Sequence, residues 1–179
     1  MNLLRSPNGC PFVNLALKSF ENKQALHREI ELSQTKAALS QIESQIKELY
    51  SPLYGLIQRS TEIYKRAVIR LPSLTSHIPN DAEGPIWTYF VETYFLPINA
   101  QMAELIHSKI HLVEEDELPE SWRLFLQHQT SFEVLHKLWK EKGVASDQIQ
   151  GARWLNRFEE YVQISLNRLK NSTTILLFN

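Results

Sequence analysis

Residues 39–63 read LSQIESQIKELYSPLYGLIQRSTEI, and apolar side chains fall at Leu39, Ile42, Ile46, Leu49, Leu53, Leu56 and Ile63. Alternating steps of three and four average about 3.5 residues, the repeat that keeps one narrow apolar seam of a helix turned toward a partner helix. A long first helix follows from this spacing. The helix extends upstream through residues 21–50, a stretch rich in Glu, Lys, Gln, Leu and Ala, all strong helix formers. That stretch is polar on most faces, so it either packs as a hairpin or coiled coil or projects and finds another chain. Ser51-Pro52 interrupts it, because proline removes a backbone donor and crowds the carbonyl four residues back. Ser51 could cap a fresh helix, but the apolar register crosses the proline unbroken, and a kink within one helix is the expectation.

Working outward, residues 71–85, LPSLTSHIPNDAEGP, carry three prolines among turn formers and form the main connection. A second helix is expected from Gly84 or Pro85 to about Val113, bent at Pro97, with Trp87, Val91, Phe95, Ile98, Met102, Ile106, Ile110 and Val113 on its apolar face. Pro119 is placed to open a third helix ending near Gly143, burying Trp122, Phe125, Phe132, Leu135 and Trp139. A fourth helix is expected from about 151 to 171, presenting Trp154, Phe158, Tyr161, Val162, Ile164 and Leu169. The fold class is therefore all-α, a four-helix-type antiparallel bundle with a long, proline-kinked first helix. Residues 1–20 are expected as an irregular arm with room for a short helical stretch at its end, 21–171 as a single bundle domain, and 172–179 as an apolar tail. That tail either folds back onto the bundle or serves as a docking peptide.

Composition narrows the function classes. Of 179 residues, 19 are Lys or Arg and 20 are Asp or Glu, so no net field draws the chain to nucleic acid or an anionic membrane. The five glycines form no phosphate-cradling loop. Cys10 is the single cysteine, which excludes an intramolecular disulfide and a multi-thiolate zinc site. No signal peptide and no transmembrane segment is read, and a reducing, cytoplasmic location is expected. No cofactor is expected.

Several residues invite chemistry. Glu104 with His107, and Glu133 with His136, repeat the Glu-x-x-His spacing of carboxylate-bridged di-metal bundles. A helical wheel, however, turns Glu104, His107 and His111 away from Met102 and Ile106, and no metal site is expected. Exposed placement is the simpler reading of His107 and His111. His128 and His136 fall nearer the Phe125 and Phe132 side and are expected as hydrogen-bonded core histidines. The acidic run at 114–117 reads as a solvated turn, and Asn99 as an amide serving the backbone freed by Pro97.

Arg123 and His128 form an Arg-x4-His element on the third helix, which resembles the motif of the HEPN ribonucleases, small helical domains that dimerise around RNA. The resemblance implies an arginine that holds phosphate and a histidine that acts on the 2'-hydroxyl. Nucleic acid is a partner only under that alternative. Arg70 and His77, with six intervening residues, match a looser form of the element, four to six residues between arginine and histidine, in a proline-rich connection.

The segments KELYSPLYGLIQ (47–58), FLPINAQMAELIHSKIHLVEEDELPES (95–121) and FLQHQTSFEVLHKLW (125–139) resemble a widespread group of uncharacterised bacterial helical proteins. Members often carry an N-terminal membrane helix, where this chain has a polar one. The resemblance covers about residues 45–170, implies the helical fold, and draws notice to Pro52, Tyr54, Pro97, Asn99, Met102, His111, Pro119 and His128. The function expected from the residues is a helical interaction or scaffolding protein, a homo-oligomer or the ligand of a protein partner. Leu39, Ile42, Ile46 and Leu49 are its expected interface.

Overall fold

The structure, a computed structural model, describes residues 11–71, 84–115, 117–143 and 153–178. The expected connection at 72–83 and the loop at 144–152 lie outside the described residues, as do residues 1–10 of the expected arm. Among the described residues every regular element is helical. Helix α1 (Pro11–Ser44) passes through a π-turn (Gln45–Tyr50) into α2 (Ser51–Arg70). Helix α3 (Gly84–Phe90) passes through a second π-turn (Val91–Phe95) into α4 (Leu96–Ser108). A 3-10 turn (Ile110–Leu112), α5 (Glu120–Lys142) and α6 (Arg153–Phe178) complete the order. The helix begins at Pro11, so the helical end of the expected arm is continuous with the first helix; a proline at the first helical position loses no hydrogen bond and has its φ preset.

Both mid-helix prolines are absorbed in the same way. Each π-turn ends just ahead of a proline, where the Ser51 N–H bonds to Ile46 O and the Leu96 N–H to Val91 O, one residue further back than in an α-helix. The wider turn relieves the clash between the proline ring and the carbonyl four residues earlier, so neither helix breaks. The expected kink at Pro52 thus takes the form of a π-turn, with Leu49 and the adjacent Tyr50 both buried.

The chain divides into two compact units, one reaching to Ser40 and one starting at Gln41. In the second unit, α2 packs on α4 and α6, and α5 also packs on α4 and α6, which closes a four-membered ring around one core. Leu49, Tyr50, Leu53 and Ile57 meet Ile98, Met102 and Ile106, Trp122 and Phe125, and Phe158 and Val162 in it. Each such side chain contributes about 1.5–3 kcal/mol by leaving water. The Phe125 and Phe158 rings stack at 4.7 Å, locking α5 to α6. A smaller cluster of Val91, Phe95 and Phe132 ties the second π-turn to α5.

The ends of α5 follow their sequence signals. Pro119 O accepts from the Trp122 and Arg123 N–H groups, and Gly143, with φ at +66°, takes the left-handed conformation that closes the helix through its N–H to Trp139 O. The expected tail is the last part of α6, which runs to Phe178. Ser172, Thr173 and Thr174 do not stop it, because their hydroxyls donate to the carbonyls of Arg168, Leu169 and Lys170 four residues back. Leu176 stays half-buried while Ile175, Leu177 and Phe178 are exposed.

Candidate functional site

In the unit that ends at Ser40, every residue from Lys18 to Ala38 is exposed, and Leu39 is half-buried. Phe20, Leu26, Ile30 and Leu32 are all exposed large apolar side chains, Leu26 at 57% and Ile30 at 46%. The side-chain bonds in this stretch are local: His27 Nε2 lies 3.2 Å from Glu31 Oε1, and the Thr35 hydroxyl donates to Glu31 O at 2.9 Å. At about 100° per residue, Lys23, Leu26, Ile30, Ser33 and Ala37 form one stripe of the helix. The remaining expected interface residues belong to the second unit. Ile42 and Ile46 pack half-buried against the main core, and Leu49 is 0% exposed within it. From Ile42 onward the seam is occupied by the chain's own bundle.

Arg123 is exposed on α5, whereas His128 is half-buried, with its ring stacked on Phe132 at 5.7 Å. Five residues on a helix are about 140° apart in azimuth, so a single chain does not turn this pair toward one cleft. Burial pushes the His128 imidazole below its usual pKa. Glu104, His107 and His111 are exposed. Among the described residues no three His, Cys, Asp or Glu side chains come together as a metal site would need. Of the other residues picked out by the family resemblance, Met102 and Asn99 are buried and Tyr54 is half-buried against the core.

Two polar constellations join elements far apart in sequence. At the second π-turn, Glu92 Oε1 lies 3.1 Å from His136 Nε2 and accepts from Lys140 Nζ at 2.8 Å, so α5 is tied to the turn beside the small aromatic cluster. The bonds from Lys140 and then His136 hold the Glu92 carboxyl below its usual value of 4.5. A carboxyl with a depressed pKa stabilises the fold above the unfolded value, and that contribution is lost as pH falls through the folded one. Glu92→Gln is therefore expected to lower the thermal midpoint at pH 7, with the gap to the parent closing below about pH 4.5. A gap that persists unchanged at low pH would contradict this ion-pair account. Glu133, which shares the Glu-x-x-His spacing with His136, accepts from Gln129 and lies 3.8 Å from Lys137.

The second constellation lies at the acidic run. Arg168 pairs with Glu114 and reaches Glu115, which also accepts from the Tyr161 hydroxyl. Glu114 and Glu115 are exposed, as a solvated turn requires, and they also dock α6. Burial, then Glu114 and Glu115, pushes the Tyr50 phenol up to about 12. Its hydroxyl faces the Glu114 backbone without reaching hydrogen-bond geometry. Burial and the bond to Glu115 raise Tyr161 as well. Nearby, Gln45 Nε2 donates to Leu112 O at 3.1 Å in a buried bond, and Lys109 Nζ meets Glu48 at 2.6 Å. These contacts fix the 3-10 turn, and all of them are positioning interactions within the bundle.

No helix among the described residues is long and apolar enough to cross a membrane. Comparison with protein-family models, with curated proteins and with solved structures finds no match to the chain.

Proposed function

We propose that this protein is a helical interaction module, in which the bundle from Gln41 onward carries α1 as a docking element for another protein surface. The carrying observation is the run from Lys18 to Ala38, exposed on every side and bearing Phe20, Leu26, Ile30 and Leu32. An isolated helix of about this length is marginal in water, since its stability in proteins comes chiefly from packing one face. Exposed leucine and isoleucine at helical spacing are the anchors such packing uses. The bundle, by contrast, has its own core and does not need α1 residues before Ile42 to complete it.

The test is Leu26→Glu combined with Ile30→Glu, read by light scattering over a concentration series. Association is expected to be lost while the bundle's stability changes by no more than about 0.5 kcal/mol, as for surface substitutions generally. Association that survives both charges would overturn the assignment to this helix.

A further inference from the structure

We infer that the surface α1 fits is α1 of a second copy, running antiparallel, in a register that places Leu26 on Ala37 and Ile30 on Ser33 of the other chain. This rests on the docking role just proposed and names its occupant. Lys23, Ile30 and Ala37 alternate with Leu26 and Ser33 at steps of three and four, so they form one seam, and all are exposed. With the two-fold axis between residues 31 and 32, four successive layers each set a large side chain against a small one, the arrangement in which facing layers interdigitate.

Charge selects this register over its neighbours. On one flank Glu29 meets Lys36 of the second copy, and by symmetry Lys36 meets its Glu29. On the other flank His27 meets Gln34, again twice. Glu29, Lys36, His27 and Gln34 are all exposed, and His27 exchanges its contact with Glu31 of its own helix for the partner helix. Sliding the pairing by one heptad layer to bring Leu26 onto Ile30 sets Glu29 against Glu29 at the axis, and a parallel pair sets Lys23 against Lys23. Like charges so placed cost what opposite charges would contribute.

The experiment uses the full chain in four forms: parent, Glu29→Lys, Lys36→Glu and the double variant, each checked for unchanged helicity by circular dichroism. Sedimentation equilibrium is expected to show the parent passing to twice the monomer mass as concentration rises. Either single variant should weaken this by about tenfold or more, because two attractions become two repulsions. The double variant should recover it, and so should an equimolar mixture of the two single variants, in which both contacts again join opposite charges. A parent that stays monomeric, or single variants that dimerise like the parent, would overturn the pairing. If the charge variants leave the dimer intact but Leu26→Glu with Ile30→Glu abolishes it, this register fails and the docking role of α1 stands. A dimer indifferent to both sets removes the docking role with it.

Discussion

Replacing Leu49 with glutamate is expected to unfold the bundle, although the exposed Leu32, earlier in the same continuous helical run, should accept the same change almost silently. Leu49 is fully buried among α2, α4, α5 and α6, at the π-turn that absorbs Pro52. Losing a buried leucine costs about 2–5 kcal/mol. Placing an unpaired carboxylate there adds several more unless the group takes up a proton. The sum is comparable to the whole stability of a domain this size, about 5–15 kcal/mol. Far-ultraviolet circular dichroism with a thermal melt should show a largely unfolded chain at 25 °C, whereas Leu32→Glu, on the exposed part of α1, should melt like the parent. A cooperative Leu49→Glu melt within about 1 kcal/mol of the parent would contradict the burial described here.

Trp122→Ala is the second large effect. The indole is fully buried and touches Tyr50, Phe158 and Tyr161 edge-on at 5.8, 5.9 and 6.1 Å. Truncation opens a cavity at the meeting of three helices and is expected to cost about 3–5 kcal/mol, read from the denaturant midpoint. Trp122→Phe tests a finer point. The Trp122 Nε1–H has no hydrogen-bond partner, and an unsatisfied buried donor carries a penalty of about 1–3 kcal/mol. Removing that donor offsets part of the lost volume, so the phenylalanine variant should cost less than about 1.5 kcal/mol. A Trp122→Phe loss well above about 1.5 kcal/mol would contradict an unbonded indole nitrogen.

Much of the fold is legible in the sequence because its signals are local. The period of Leu39 to Ile63, Pro119 ahead of α5 and Gly143 after it each act within a turn or two, and the structure places helices accordingly. The π-turns were not legible as such, since Pro52 and Pro97 announce a disturbance without saying whether the helix breaks, bends or widens. The outcome depends on what packs against the turn. Partnerships across 44 to 67 residues, such as His136 with Glu92, Tyr161 with Glu115 and Gln45 with Leu112, leave no short-range trace either. Glu133 and His136 share one helix at Glu-x-x-His spacing, yet the carboxylate that meets His136 is Glu92 on another element. Periodicity likewise shows that a seam exists but not what fills it. Leu49 and Ile30 are both apolar residues at helical spacing, and only the fold distinguishes the one that completes a core from the one left facing outward.

The central claim, that α1 before Ile42 takes its packing from another molecule, is tested most directly by hydrogen exchange on the full-length protein at several concentrations. Amides of residues 18–38 are expected to exchange quickly when the protein is dilute and to gain protection as it assembles, while those of 53–70 stay protected throughout. Residues 18–38 as strongly protected as the bundle core in fully monomeric protein would contradict the claim, because the helix would then be held by its own chain.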